Sequence, residues 1–385
     1  MLSLFRSKVL QTQKYWVVHS LRLGLDQGLW AVGMILLSSL GAIVPSNAAV
    51  GEPLLIAQTS PQLLTLLRQG KQLIDAGNFQ EALKVYQQAA TVDSRNPRIY
   101  SAIGFLQAQI GSYPEAARSY QQAIALEANN PDFYYALGFS LGKAGDNPGA
   151  AAAYQRAVQL NPKNVPAMLG LGIVLSRQGN ASGAMTVYRR VITLDPQSWQ
   201  AHEAIGVLLF EQGNPTQAIA SLQQAAAIAP SSSTVQFYLG LALLSQGNTA
   251  AGVAALQQAG QLDPSNALLN LKIGDTLVNQ KDLAAALIAY RRAAEANPKL
   301  LEAKLAIGDI SIQIGNPLEA IVVYREVTQL APNEPLAFHK LGLALKERGR
   351  KDEAKTAFQT AIRLYQTQGN AAGVTQVRAD MKRKK

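Results

Sequence analysis

Three histidines, no cysteine and a thin scatter of carboxylates are what this 385-residue chain offers for chemistry. A general base or a metal site needs two or three such groups held within a few ångströms, which local sequence usually signals by short fixed spacing. His19, His202 and His339 lie far apart in the chain, and no HExxH, GxxxxGK[ST], GxSxG or carboxylate-rich calcium loop occurs. Without cysteine there is no thiol nucleophile, disulfide, iron–sulfur cluster or thiolate–zinc site. What recurs is Gly followed by Asn or Asp, as at Gly77-Asn78, Gly145-Asp146, Gly179-Asn180, Gly213-Asn214, Gly247-Asn248 and Gly315-Asn316. That is turn chemistry: the first residue tolerates a left-handed backbone and the second caps or turns the chain. The expectation is a non-enzyme with no catalytic residue, no metal and no cofactor.

The elements that space these pairs repeat. Written from Leu63 in rows of 34, the chain places Gly in column 8 of all nine rows, from Gly70 to Gly342, and Gly in column 15 of every row except at Lys281. Column 20 is small throughout, Ala82 to Ala354 with Gly252 in row six, and column 27 is Ala or Val in every row. Column 24 is aromatic at Tyr86, Tyr120, Tyr154, Tyr188, Tyr290, Tyr324 and Phe358, and leucine at Leu222 and Leu256. Column 32 is proline from Pro162 to Pro332. Apolar residues between these markers recur at three- and four-residue spacing, so each row reads as a helix, a turn at column 15 and a second helix stopped by proline. One helical hairpin cannot bury both its faces, so the rows must stack. The fold class is all-α, a superhelical solenoid of helix-turn-helix units.

Composition agrees. Hydrophobic residues at 48% exclude a disordered chain, while 16% charged residues leave much of the surface to Gln, Ser, Thr, Asn and Ala. The net charge of +10 is carried mostly by the two ends: residues 1–48 hold +3, residues 369–385 hold +4, and the 320 residues between them hold only +3. No basic stripe of the kind that tracks a phosphate backbone runs along the body, so nucleic acid is not an expected partner.

At the N-terminus, Arg6, Lys8, Lys14 and Arg22 precede the apolar run Leu29 to Val44, and Pro45-Ser46-Asn47-Ala48-Ala49 come directly after it. Basic segment, apolar core and small residues come in the order of a secretory signal. Residues 1–49 are therefore read as a signal peptide cleaved after Ala48 or as an uncleaved signal-anchor, with membrane contact through residues 29–44 in the second case. All four basic residues precede the apolar run, so the chain beyond residue 50 is expected to be exported, in a periplasm, lumen or extracellular space.

The 34-residue period, with Gly at column 8, Tyr at 24 and Pro at 32, resembles the tetratricopeptide repeat (TPR) family across residues 63–368. Residues 50–62 are then a linker, and Val374, Val377 and Met381 mark 369–385 as a capping helix with a basic end. Column 4 departs from the family's large aromatic residue at His202, Gln236, Asn270 and Lys304, which predicts looser packing in rows five to eight.

The resemblance implies that the first helix of each row lines a concave groove through columns 2, 5, 9, 12 and 13. From row two to row six these columns supply Phe105, Tyr135, Phe139, Leu169, Ile173, Val207, Phe210, Phe237, Leu241 and Leu244, and residues 199–266 contain no Lys or Arg. The same side chains could instead be covered by neighbouring rows. Two specialised grooves of the family are missing their residues: column 5 has no Lys and column 9 no Asn for a terminal-carboxylate clamp, and column 6 carries no Asn ladder. The function read from these features is a scaffold outside the cytoplasm that receives an apolar peptide or helix of a protein partner, as in envelope or membrane-complex assembly. The alternatives are a self-associating structural tether and a non-catalytic subunit of an enzyme complex; a concentration-dependent mass separates the first of these, and co-purifying activity the second.

Overall fold

The computed structural model describes residues 60–383. The signal or anchor segment, most of the linker and the last two lysines lie outside the described residues. The chain divides into two compact units, Met1–Gln212 and Gly213–Lys385. Among the described residues there are 19 helices and no strand, and no helix is long and apolar enough to cross a membrane.

The first unit holds α1 (Pro61–Asp75), α2 (Phe79–Val92), α3 (Pro97–Gln109), α4 (Tyr113–Leu126), α5 (Pro131–Ala144), α6 (Asn147–Leu160), α7 (Val165–Arg177), α8 (Ala181–Leu194) and α9 (Trp199–Glu211). The second holds α10 (Pro215–Ile228), α11 (Ser233–Ser245), α12 (Thr249–Leu262), α13 (Ala267–Asn279), α14 (Leu283–Ala296), α15 (Leu301–Gln313), α16 (Pro317–Leu330), α17 (Pro335–Glu347), α18 (Lys351–Thr367) and α19 (Ala371–Lys382). Row one starts earlier than its period indicates: Ser60 caps α1 by accepting from Leu63 N at 3.1 Å and Pro61 opens the helix, so the last two linker residues are helical.

The Gly-Asn pair ends one helix and begins the next. Gly77, at φ 76°, donates to Ile74 O at 2.9 Å while Asn78 N reaches Leu73 O at 2.8 Å, the paired bonds that close a helix with a left-handed residue. In several rows the Asn or Asp after the glycine then caps the second helix: Asp146 Oδ1 accepts from Gly149 N and Asn180 Oδ1 from Gly183 N, both at 2.9 Å, whereas Asn78 and Asn214 make no such bond. Lys281 takes the same left-handed conformation, φ 63°, and is the sole non-glycine residue to do so among the described residues.

Columns 8 and 24 form one contact. A Cβ built on Gly70 would stand 2.6 Å from the Tyr86 ring, and one on Gly342 would stand 2.6 Å from Phe358. The glycine thus lets an aromatic ring lie flat on the facing helix, and each such ring brings ~150–250 Å² out of water, worth ~4–6 kcal/mol gross. Two of the departing column-4 residues, His202 and Asn270, are tied to the preceding turn. Asn270 is fully buried and donates to Asp263 O and Asn266 O at 3.0 Å. His202 bonds Pro196 O and Tyr100 donates to Ser94 O, each at 3.2 Å. A side chain that reaches the preceding turn supplies the fit that an aromatic residue would otherwise provide.

The last helix is pinned to row nine. His339 Nε2 meets Asp380 Oδ2 at 2.9 Å, and Lys346 Nζ reaches the carbonyl of Asp380 as well as those of Met381 at 3.2 Å and Arg383 at 2.7 Å. On α19, Val377 is fully buried and Val374 nearly so, in one cluster with Leu341, Leu345 and Phe358 of row nine. The charge of Lys346 thereby sits among the unpaired carbonyls of a helix C-terminus, where a cation is favoured.

Candidate partner-binding face

The ten apolar residues of columns 5, 9 and 12 divide into two equal classes. Phe105, Tyr135, Ile173, Val207 and Phe237 are buried within their own units; Phe139, Leu169, Phe210, Leu241 and Leu244 are half-buried. In the first unit Phe105 packs in a cluster with Leu106, Ile99 and Tyr86. Tyr135 lies 6.0 Å from the Tyr154 ring. Phe139 presents part of its ring outward, with Tyr113 edge-on at 6.3 Å and Lys143 Nζ 5.9 Å from its centroid. In the second unit Phe237 stands edge-on to Tyr238 at 5.4 Å. Leu244 leans inward, since a Cβ on Gly252 would be 2.7 Å from its Cγ. The positions that leave apolar surface to a partner are therefore fewer than the columns alone indicate, with Phe139 and Leu169 foremost in the first unit and Leu241 in the second.

A buried polar group interrupts this face in row five. Glu203 is 4% exposed, and its charge and that of Arg177 both act on the hydroxyl of Tyr188. Burial pushes the Tyr188 phenol above its ordinary range, the Ser176 hydrogen bond and Arg177 pull it down, and Glu203 pushes it up.

Rows seven to nine carry a different chemistry that the column reading did not single out. Tyr290 Oη donates to Asp275 at 2.7 Å and Tyr324 Oη to Asp309 at 2.6 Å. Lys340 Nζ bridges both oxygens of Asp309 at 2.5 and 2.7 Å, and Lys304 pairs with Glu326 at 2.8 Å. Asp275 and Asp309 occupy column 9, where earlier rows have Phe105, Phe139 and Ile173, and each stands 15 residues before the tyrosine it binds. Reading column 9 against column 24 row by row would have exposed the pairs. Burial, and then these hydrogen bonds, raise both phenols above the tyrosine range.

Among the described residues no three His, Asp or Glu side chains are placed to hold a metal ion. The three histidines are not brought together: His202 bonds a turn carbonyl, His339 holds the last helix, and His19 lies outside the described residues.

Comparison with known proteins agrees with the repeat. A tetratricopeptide repeat model matches residues 135–199, 174–233, 203–267 and 271–335, a TPR repeat model matches 70–111 and 108–145, and another tetratricopeptide repeat model matches 336–367. A TPR repeat-containing protein of Picosynechococcus sp. is 31% identical over 88 residues, which is 23% of this chain and 20% of that protein. The match thus spans about a fifth of that relative's length. A tetratricopeptide repeat protein from Parabacteroides merdae aligns over 66% of this chain and all of its own at a TM-score of 0.55 and 16% identity, and so shares the fold. YrrB, described as a TPR protein with an unusual peptide-binding site, aligns over 45% of this chain and 89% of its own at a TM-score of 0.41 and 25% identity. With hairpins of 34-residue period, a glycine at column 8 under the column-24 ring, and family models matching more than half its length, the chain belongs to the tetratricopeptide repeat family.

Proposed function

We propose that the protein is a non-catalytic interaction scaffold that holds an apolar peptide or helix of a protein partner along the face of its first helices, outside the cytoplasm. The observation that carries this reading is the half-buried apolar side chains Phe139 and Leu169 in the first unit and Leu241 in the second, each on the first helix of its row. Side chains of this kind on a rigid scaffold gain from being covered, and an amphipathic helix or extended peptide presents matching anchors. The absence of Lys and Arg from residues 199–266 supports a partner recognised by apolar contact rather than by charge. For the location, the support is the order of basic segment, apolar run and small residues in 1–49, and a role in envelope or membrane-complex assembly is inferred from that order.

A photo-crosslinking residue at Leu169 or Leu241, with mass spectrometry of the native envelope, tests the face. The expected adduct is an apolar peptide of a partner, and at Leu169 it should be reduced at least ~tenfold by Phe139→Glu, equivalent to ~1.4 kcal/mol. Half-buried positions are the informative ones, because Phe237→Glu would place a charge in the core and lower the melting temperature by itself. No adduct at either position in a protein of unchanged stability would remove the face from consideration. Export is tested separately: cleavage after Ala48 removes Trp16 and Trp30 and leaves Trp199 as the one tryptophan, whereas an intact N-terminus extracted only by detergent indicates the anchor.

A further inference from the structure

We propose that a cavity formed by α12, α13 and α14 binds a small aliphatic carboxylate. The cavity measures about 170 Å³. Its floor is hydrocarbon, from Ile273 and Leu277 of α13 and Ala289 of α14, all buried. Ile288 of α14 forms a wall and is 51% exposed, so the cavity reaches solvent. Gln257, Gln261 and Arg292 stand at its rim, and no carboxylate lines it.

Beside the cavity column 28 is Gly260; the same column is Ile124, Val158, Ile192 and Ile362 in four rows and Ala or Thr in the other four. A Cβ at Gly260 would lie 2.9 Å from Asn270 Oδ1 and 3.1 Å from an Arg292 guanidinium nitrogen, so these two side chains already fill the space that the glycine leaves. Asn270 is fully buried; its amide nitrogen is spent on backbone carbonyls and its Oδ1 has no donor. Arg291 is paired with Glu319 at 2.5 Å, whereas Arg292 makes no ion pair among the described residues. A guanidinium can give two of its N–H groups to one carboxylate.

These features select the ligand. A dry cavity of roughly 150 Å³ accepts a benzene-sized apolar group, so about six carbons fit here. An unpaired cation at an apolar mouth calls for an anion on that hydrocarbon, and planar bidentate pairing favours a carboxylate. The glutamine amides add neutral donors at the same rim.

Titration of the full chain with hexanoate, read by amide chemical shifts and calorimetry, tests the site. Saturable millimolar binding is expected, with shifts confined to residues around 257–292. Hexanamide and acetate, which lack the charge and the tail respectively, should each bind at least ~tenfold more weakly. Arg292→Gln should weaken hexanoate by a similar factor and leave hexanamide unchanged. Ala289→Leu, which fills the floor, should abolish both; if that variant fails to fold, Gly260→Ala displaces the guanidinium and should weaken hexanoate alone. Equal hexanoate affinity in wild type and Arg292→Gln, or no saturable binding, overturns the proposal. Crosslinking at Leu169 should be unaffected by Arg292→Gln, which keeps this test independent of the first-helix face.

Discussion

The ring of Tyr154 lies against Gly170, the residue of the next hairpin over which it folds: a Cβ added at Gly170 would stand 2.5 Å from its Cζ. Gly138, in the same hairpin as the ring, touches it from another side, at 2.8 Å from Cδ1 for an added Cβ. One aromatic ring thus joins two rows through two glycines. Gly170→Ala should overpack this contact and cost ~1–3 kcal/mol in chemical denaturation. Tyr154→Leu removes the ring atoms involved, so the two changes together should cost less than their sum; strict additivity would show that the ring does not transmit the strain.

Lys281 is the natural counter-experiment to the column-15 glycines. Its left-handed backbone costs an L-residue with a Cβ ~1–2 kcal/mol, part of which glycine returns as flexibility of the unfolded chain. Lys281→Gly should therefore raise stability by about 0.5–1 kcal/mol, visible as a higher melting temperature. A fall in stability would mean that the Lys281 side chain contributes more than its backbone strain removes.

The last helix should come loose when its clamp is removed. Lys346→Met deprives the carbonyls of Asp380, Met381 and Arg383 of their charged donor and should cost ~1–2 kcal/mol locally. Hydrogen exchange ought to speed up in α19 and leave α11 and α12 unchanged, because coupling in a solenoid is between neighbours. Uniform loss of protection throughout the second unit would contradict that picture.

Alkaline pH should unfold the protein through its buried phenols. Tyr86 is pushed up to about 12 by burial and, secondarily, by Asp75, and Tyr120, Tyr154 and Tyr188 are raised in the same direction by burial. The unfolded chain ionises these groups near 10, so it releases protons first and gains stability relative to the fold as pH rises from about 10 toward 12. Phenolate absorbance should accordingly appear together with loss of helicity. Phenolate formed in advance of unfolding would place these rings in water.

The repeat was legible because each marker residue has a steric reason visible in one dimension. Columns 8 and 24 stand 16 residues apart in every row, as at Gly70 and Tyr86, and a pair such as Gly145-Asp146 both ends one helix and caps the next. The face was less legible, since columns 5, 9 and 12 lie at the edge between partner and core. Whether a side chain there is covered depends on the size of residues in the next row: Val207 is 1% exposed while Leu169, of similar chemistry, is half-buried. The Asp309–Tyr324 and Asp309–Lys340 contacts were hidden for another reason, because they join residues 15 and 31 positions apart and no property of the single residues announces the pairing.

The clamp on α19 also sets a scale. The hydrogen bond from His339 to Asp380 spans 41 residues, and the ion pairs Arg291–Glu319 and Arg325–Glu353 each span 28. Closing such short loops carries a small entropic cost, and contacts of low sequence separation form fast. A row and its neighbour contain everything needed to settle into place, so a chain that leaves a ribosome or a membrane pore N-terminus first can consolidate each hairpin as it emerges, without waiting for a distant segment.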